Sequence, residues 1–263
     1  MIRLTREIRF SASTPDEKHE SIPTLNSWAG SLARGVAPFL CLRATVEGQL
    51  SETGYLCDIK VIDDLLRQRA AVTTTGMLAE YGNELSPEMV LKTLWHRIPE
   101  SVIPGVRVIA LQLVTSPYIS YTIERDNPSM IQLTEQFEFS AAHRLHCEQL
   151  TAEENKATFG KCNNPNGHGH NYVVEVTVAN PEPETGLSRR LDVQRVVNER
   201  VIDRFDHKHL NKDTEEFRTL NPTVENIAKV VWDLLVDSLK PTKLVSVRVY
   251  ETPKTWADYA GAR

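Results

Sequence analysis

The sequence predicts an α+β fold built as two tandem domains, each ββααββ with an antiparallel sheet and two helices on one face. Three observations carry this prediction. The first is an internal repeat. Thr5-Arg-Glu-Ile-Arg-Phe-Ser-Ala-Ser13 reads like Thr134-Glu-Gln-Phe-Glu-Phe-Ser-Ala-Ala142, and Leu111–Pro117 reads like Val247–Pro253. Ala44-Thr45-Val46 followed by Glu52-Thr53-Gly54 echoes Val176-Thr177-Val178 followed by Glu184-Thr185-Gly186, and Ser86-Pro87-Glu88 leading to Trp95 echoes Thr223-Val224-Glu225 leading to Trp232. The matches keep one order and a spacing near half the chain, so they describe a pair of domains rather than a solenoid of roughly 20–50-residue units. The second observation is that apolar periodicity switches between that of strands and that of helices in the same order in both halves. The third is that strands flank a pair of helices, the pattern of an antiparallel sheet covered on one side.

The elements of the second half follow in order. Leu133–Ser140 alternates apolar and polar residues, as a half-buried strand does. Tyr172–Val178 is rich in β-branched residues and forms a second strand. Between Leu191 and Phe205 the positions Val193, Val196, Val197, Val201 and Ile202 recur at helical spacing. Thr223 is the N-cap of a second helix whose face carries Ile227, Val230, Val231, Leu234 and Leu235, and Ser86 before Pro87 opens its counterpart in the first half. Val245, Val247 and Val249 form a third strand and Trp256–Ala260 a short fourth. The turn residues Asp126-Asn127-Pro128 mark a junction at Glu124–Met130, giving domains at 1–125 and 131–263. So short a junction implies halves that pack together. The stretch Asn26–Pro38 reads as a loop.

Composition narrows the function. The chain has 263 residues, 41% hydrophobic, with 30 Lys and Arg against 35 Asp and Glu, a net charge of −5 and no run of like charges. That argues against a protein built to hold nucleic acid or an anionic membrane. No apolar run approaches a membrane span, and the alternating, charged start is unlike a signal peptide. Four cysteines (Cys41, Cys57, Cys147 and Cys162) make no disulfide framework in a chain this long, and Cys41 and Cys57 sit among apolar residues as core positions. The expectation is a cytoplasmic protein acting on a small molecule.

The chemistry-bearing residues cluster in the second half, where six of eight histidines lie between His143 and His209. His168 and His170 stand two apart at the entrance of a strand and so face one side. His143 ends the neighbouring strand and can join them. Three converging imidazoles suit Zn²⁺ with a fourth position open, whereas a lone histidine usually only satisfies a loop hydrogen bond. Cys162, in a loop rich in Asn, Pro and Gly, can be a fourth ligand, a reactive thiolate or inert; a nearby cation would lower its pKa. Asp206 beside His207 is the pairing in which a carboxylate orients an imidazole for acid–base work, although Asp is also common at helix ends. Glu251, at a strand end, suits recognition of a paired N–H edge or simply faces solvent.

Phe139-Ser-Ala-Ala-His-Arg-Leu145, Glu153-Glu-Asn155 and Phe159-Gly-Lys-Cys-Asn-Asn-Pro-Asn-Gly-His-Gly-His-Asn-Tyr172 resemble the 6-pyruvoyl-tetrahydropterin synthase family. So do Asp206-His207-Lys208, Thr223-Val-Glu-Asn226 and Tyr250-Glu-Thr252, all in the family's order over about residues 131–263. The resemblance implies the tunnelling (T) fold, in which subunits pair edge strands around a barrel as homo-oligomers. It implies His143, His168 and His170 as zinc ligands and Cys162 as the base. Asp206 and His207 would be a proton relay, supplied by the same or a neighbouring subunit, and Glu251 the anchor of a pterin ring with Thr223 nearby. The implied reaction is loss of triphosphate from 7,8-dihydroneopterin triphosphate to give 6-pyruvoyl-tetrahydropterin.

Two rivals stand beside that reading. The 6-carboxytetrahydropterin synthases of queuosine biosynthesis share substrate and ligands, but generally with fewer residues than the five between Cys162 and His168. A non-catalytic zinc- or pterin-binding protein would not need ligands, base, relay and anchor together. The first half keeps the scaffold without the chemistry. Thr14 stands where His143 would, Gly30–Leu40 holds no His or Cys, Leu66–Tyr81 holds no Asp or His, and Thr115 replaces Glu251. That half is expected to complete the assembly, with a regulatory pocket as the other possibility.

Overall fold

The computed structural model describes residues 1–12, 38–180 and 186–261. The chain divides into two compact units, Met1–Leu133 with Asn180–Leu187, and Thr134–Ala179 with Ser188–Arg263. Both are mixed α and β with antiparallel sheet. The loop expected at Asn26–Pro38 lies, apart from Pro38, outside the described residues.

In the first unit the strands are β1 (Ile2–Ser11), β2 (Phe39–Gly48), β3 (Ser101–Ile103), β4 (Val106–Ser116) and β5 (Ile119–Glu124). They pair antiparallel in the order β1-β2-β4-β5, with the short β3 on β4. A helical stretch runs from α1 (Ile59–Asp64) through π turns at Leu65–Ala71 into α2 (Val72–Tyr81), followed by α3 (Pro87–Arg97). Ser86 caps α3 by accepting from the Met89 N–H, with Pro87 at the first turn. Buried Val90, Leu91 and Leu94 on α3 then meet the sheet at β4 and β5.

The second unit carries most of β6 (Ile131–His143), then α4 (Ala152–Phe159), β7 (His168–Asn180), α5 (Gly186–Val197), α6 (Asp203–Phe205), β8 (Lys208–His209), α7 (Leu210–Asp213), α8 (Val224–Leu235), β9 (Lys243–Thr252) and β10 (Thr255–Tyr259). The strand order is β6-β7-β9-β10, with β8 parallel to the end of β6. Thr223 caps α8 by accepting from the Asn226 N–H, and buried Val224, Ile227, Ala228, Val231 and Leu235 form one stripe against β9 and β10. Truncating a side chain such as Leu235, which is fully buried, would cost about 2–5 kcal/mol.

Three sequence expectations need correction. The helix read from Leu191 to Phe205 begins earlier, at Gly186, and changes to π turns at Asn198–Ile202. Its buried positions are Val193, Val197, Val201 and Phe205, every fourth residue. On a regular α-helix such a stripe would drift by about 40° per step, and wider π turns take up the drift. The first unit does the same, with buried Ile62, Leu66, Ala70 and Thr74 and π turns at Leu65–Ala71. Second, the three valines lie in one strand, β9, as expected, but the alternation that their spacing implies is broken, and Val245 does not share the buried face of Val247 and Val249. The β7–β9 register shifts between Thr177 and Val178, placing an extra residue on β9, so burial passes from Leu244 to Val247. In β4 a shift opposite Thr45 and Val46 moves burial from Val108 to Leu111 in the same way. Third, Cys57 is buried as expected, but Cys41 is only half-buried.

Candidate metal centre and active site

The site is built by strand register. Thr134 pairs with Thr177 at 3.0 Å, Gln136 donates to Glu175 at 2.9 Å, and Ser140 donates to Asn171 at 2.8 Å. Phe139 stacks on Tyr172 with centroids 5.0 Å apart. These pairs obey one antiparallel register, and continuing it sets His143 opposite His168. Across the other edge of β7, Val173 pairs with Tyr250, so the next step sets Tyr172 opposite Glu251. Because strand side chains alternate, His168, His170 and Tyr172 share one face with His143 and Glu251.

Sequence reasoning thus named four residues that the structure brings together. His143, His168, His170 and Glu251 each offer one ligand atom, all within 4.8 Å of one another. His143 Nε2 is 3.1 Å from His168 Nε2 and 3.2 Å from Glu251 Oε1, and His170 Nε2 is 3.4 Å from Glu251 Oε1. His143 is fully buried, and its Nδ1 lies 2.8 Å from the Pro222 carbonyl. A carbonyl only accepts, so Nδ1 is the donor there, and Nε2 is the ring nitrogen that faces the cluster. His168 Nδ1, His170 Nε2 and the Tyr172 hydroxyl are buried without hydrogen-bond partners. Burial first, then the neighbouring imidazoles, lowers the pKa of His168, and burial lowers that of His170. The His143 hydrogen bond holds Glu251 below the usual carboxylate range against its burial. Neutral imidazoles beside a carboxylate are a donor set that can hold a metal ion.

The floor beneath this cluster is aromatic. Phe139, Tyr172, Phe205 and Phe217 contact one another in series and are almost wholly buried. Burial, then Glu251 and Cys162, pushes the Tyr172 hydroxyl far above its usual range.

Cys162 lies in a 3₁₀ turn, Gly160–Asn163, and its carbonyl accepts from the Leu145 N–H at 2.8 Å. Its thiol is pushed up by burial and then by Glu251, the opposite of the lowering that a cation would bring. Asp206 and His207 form a contact of 2.7 Å between Oδ2 and Nδ1. His207 has φ 57°, a left-handed backbone that few residues other than glycine adopt. His170 and His207 line the same cleft of about 610 Å³, together with Ala141, Asn171 and His209. Thr223 spends its hydroxyl on the α8 cap, one residue after the carbonyl that holds His143.

Sequence reasoning missed the residues that fix the loops. Asn155, fully buried, donates to the carbonyls of Cys147, Leu150 and Thr151 and accepts from the Cys147 N–H. Asn211 pairs with both backbone groups of Arg144 as a neighbouring strand would, and Asn163 donates to the Leu145 carbonyl. Asn155 directly follows Glu154, which with Thr151 forms the α4 capping box; that box was a readable helix signal and α4 was not expected. His209, to which the sequence assigns no role, is half-buried against Gly167, and neither ring nitrogen has a partner. In the first unit, the Thr14 position and the segment from 30 to 37 lie outside the described residues.

The sequence model of the 6-pyruvoyl tetrahydropterin synthase family matches residues 132–262, the stretch that holds every one of these side chains. A 6-pyruvoyl tetrahydrobiopterin synthase of Drosophila melanogaster is 43% identical over 132 residues, covering 49% of this chain and 79% of that protein. The chain belongs to the 6-pyruvoyl tetrahydropterin synthase family. The Homo sapiens synthase of the same name is also 43% identical, over 91% of its length. The 6-carboxy-5,6,7,8-tetrahydropterin synthase of Bacillus subtilis (strain 168) is 33% identical, covering 52% of this chain and 89% of its own. Among solved structures, the Caenorhabditis elegans 6-pyruvoyl tetrahydropterin synthase is 39% identical, covering 51% of this chain and 96% of its own, with a TM-score of 0.43. Family membership therefore concerns the second half of the chain. No helix among the described residues is long and apolar enough to cross a membrane.

Proposed function

We propose that the chain is a zinc-dependent carbon–oxygen lyase that converts 7,8-dihydroneopterin triphosphate to 6-pyruvoyl-tetrahydropterin with loss of triphosphate. The observation that carries this reading is the convergence of His143, which is buried, with the half-buried His168 and His170 on one point, with Glu251 beside them. Ligand atoms about 2.0–2.1 Å from a zinc ion at tetrahedral angles lie about 3.3 Å apart, and three spacings in the cluster, 3.1, 3.2 and 3.4 Å, fit that demand, with the whole set within 4.8 Å. The buried His170 Nε2, which has no hydrogen-bond partner, fits it as well.

When bound, zinc supplies Lewis acidity that loosens protons next to the substrate's side-chain hydroxyls, and positive charge that offsets Glu251 at Cys162. The protein residues then have separate tasks. Cys162 takes a proton from the side chain, and its turn is held by the Leu145 N–H. His207 carries protons on the cleft side, with its ring oriented by Asp206. Glu251 offers two oxygens to the amino and ring N–H groups of the pterin, with Thr223 near. The Phe139–Tyr172 floor excludes water from one side. Hydrogen is redistributed within the substrate as triphosphate leaves, so no redox partner enters.

Identities of 43% to 6-pyruvoyl synthases against 33% to a 6-carboxy synthase, and the five residues between Cys162 and His168, favour the pyruvoyl product. Release of inorganic triphosphate from the pterin substrate tests the reading: it should be abolished by Cys162→Ala and by chelation. Turnover unchanged by Cys162→Ala would overturn the assignment.

The first half is read as a second, degenerate T-fold domain, 1–125, that completes a cytoplasmic homo-oligomer. Shared irregularities support duplication better than shared residues do. Both halves carry π turns under an every-fourth-residue stripe and a bulge at corresponding points of β4 and β9. Phe10 pairs with Leu40 where Phe139 meets Tyr172.

A further inference from the structure

We infer that Glu251 is a fourth ligand of the metal in the resting site and that the pterin ring draws it away, so that the substrate itself opens the coordination position it needs. The identity of the displacing ligand rests on the lyase reading; the ligation rests on geometry alone.

Glu251 Oε1 is 3.2 Å from His143 Nε2 and 3.4 Å from His170 Nε2, the edge length of a tetrahedron of ligand atoms about 2.0–2.1 Å from its centre. His143 and His168 supply the third measured edge, at 3.1 Å. The placement follows from the sheet. Glu251 stands opposite Tyr172 on β9, one alternation from His170 on β7, so its carboxylate is delivered to the cluster by register. Its side chain is only 18% exposed, and among the described residues no lysine or arginine lies within ion-pair distance of it. A carboxylate so placed, among imidazoles that are neutral when they ligate, needs a cation.

Three imidazoles and a carboxylate close a tetrahedral site, and closed sites are those of structural zinc; a catalytic site must leave one position open. The same carboxylate is also the group suited to the paired N–H edge of a pterin. Bidentate pairing uses both oxygens and their plane, so it competes with ligation. Binding of the ring therefore frees a ligand position as the side-chain hydroxyl arrives. Without the ring, the closed set keeps water out of that position.

The full chain loaded with Co²⁺ tests this, because visible bands of four-coordinate Co²⁺ are far more intense than those of five- or six-coordinate Co²⁺. Wild type should show four-coordinate bands that change when 7,8-dihydroneopterin, which lacks the triphosphate, is added. Glu251→Gln should weaken metal affinity at least tenfold in competition with a chelator, since even outer-shell changes cost about 10–100-fold. Its bands should differ from wild type at the start and should no longer respond to the pterin. Glu251→Asp, which keeps the charge but withdraws the oxygen, should lose affinity similarly. Wild-type affinity and bands in either variant would overturn ligation while leaving the lyase reading intact. A wild-type chain that binds no divalent metal would overturn both.

Discussion

Ser140 and Asp206 hold each other across the end of β6: the Ser140 N–H donates to Asp206 Oδ1 at 2.8 Å. The Ser140 carbonyl in turn accepts from the His207 N–H at 2.7 Å. These bonds pin the residue that turns through φ 57° and direct its ring to the second Asp206 oxygen. A left-handed histidine costs about 1–2 kcal/mol of backbone strain, and the three hydrogen bonds to Ser140 and Asp206 offset it. His207→Gly should relieve the strain and keep stability within about 1 kcal/mol of wild type, while turnover falls by about 10²–10⁴-fold. Denaturant unfolding and triphosphate release measured together check this, and wild-type turnover in the variant would remove His207 from the proton path.

Of the glycines flanking His168, only Gly167 is sterically demanded. It has φ 75°, and a Cβ there would lie 2.7 Å from His209 Nε2 and 3.0 Å from the His143 carbonyl oxygen. At Gly169 the nearest atom would be the Ala141 carbonyl oxygen at 3.7 Å, an ordinary contact. Gly167→Ala should therefore destabilise by more than about 1 kcal/mol and weaken metal retention. Gly169→Ala should leave melting temperature and metal content close to wild type. Equal effects in the two variants would contradict the geometry.

Asn155 replaces three carbonyl partners with one side-chain amide. Asn155→Ala strands the Leu150 carbonyl and the Cys147 N–H, while the Cys147 and Thr151 carbonyls keep the Leu150 and residue-155 N–H groups, with an expected loss of about 1–3 kcal/mol. Hydrogen exchange should rise over 145–163, the segment that ends at the Cys162 turn. Unchanged exchange there would mean that the loop is held by other contacts.

The Ser140 N–H, then His207, holds the Asp206 carboxyl below its ordinary value of 3.8. A depressed folded-state value means that the contribution to stability is complete above the ordinary value and is lost as pH falls through the lower folded one. The side-chain carboxyl ¹³C shift of Asp206 should thus titrate with a midpoint below 3.8. A midpoint at or above that value would show that the Ser140 contact is not maintained in solution.

The convergence of the three histidines was legible because period-two alternation makes His168 and His170 neighbours on one face, and because His143 closes a recognisable strand. Register was not legible. Nothing local says that Thr134 meets Thr177, and that pairing is what sets His143 opposite His168 rather than one residue away. The role of Glu251 beside the imidazoles was hidden for the same reason, since it depends on the β7–β9 bulge falling after Thr177. The helix beginning at Gly186 outran its expected start at Leu191, because apolar spacing marks a buried stripe and not the turns before it. The asparagine clamps were invisible: an Asn between strands usually signals a turn, and only the folded loop shows which carbonyls Asn155 and Asn211 take.

The central claim is the reaction, and the identity of the product tests it most directly. Purified chain incubated with 7,8-dihydroneopterin triphosphate should yield inorganic triphosphate and a pterin whose mass is that of 6-pyruvoyl-tetrahydropterin, with neither formed by Cys162→Ala. A product with the mass of 6-carboxytetrahydropterin, or unaltered substrate in the presence of bound zinc, would contradict it.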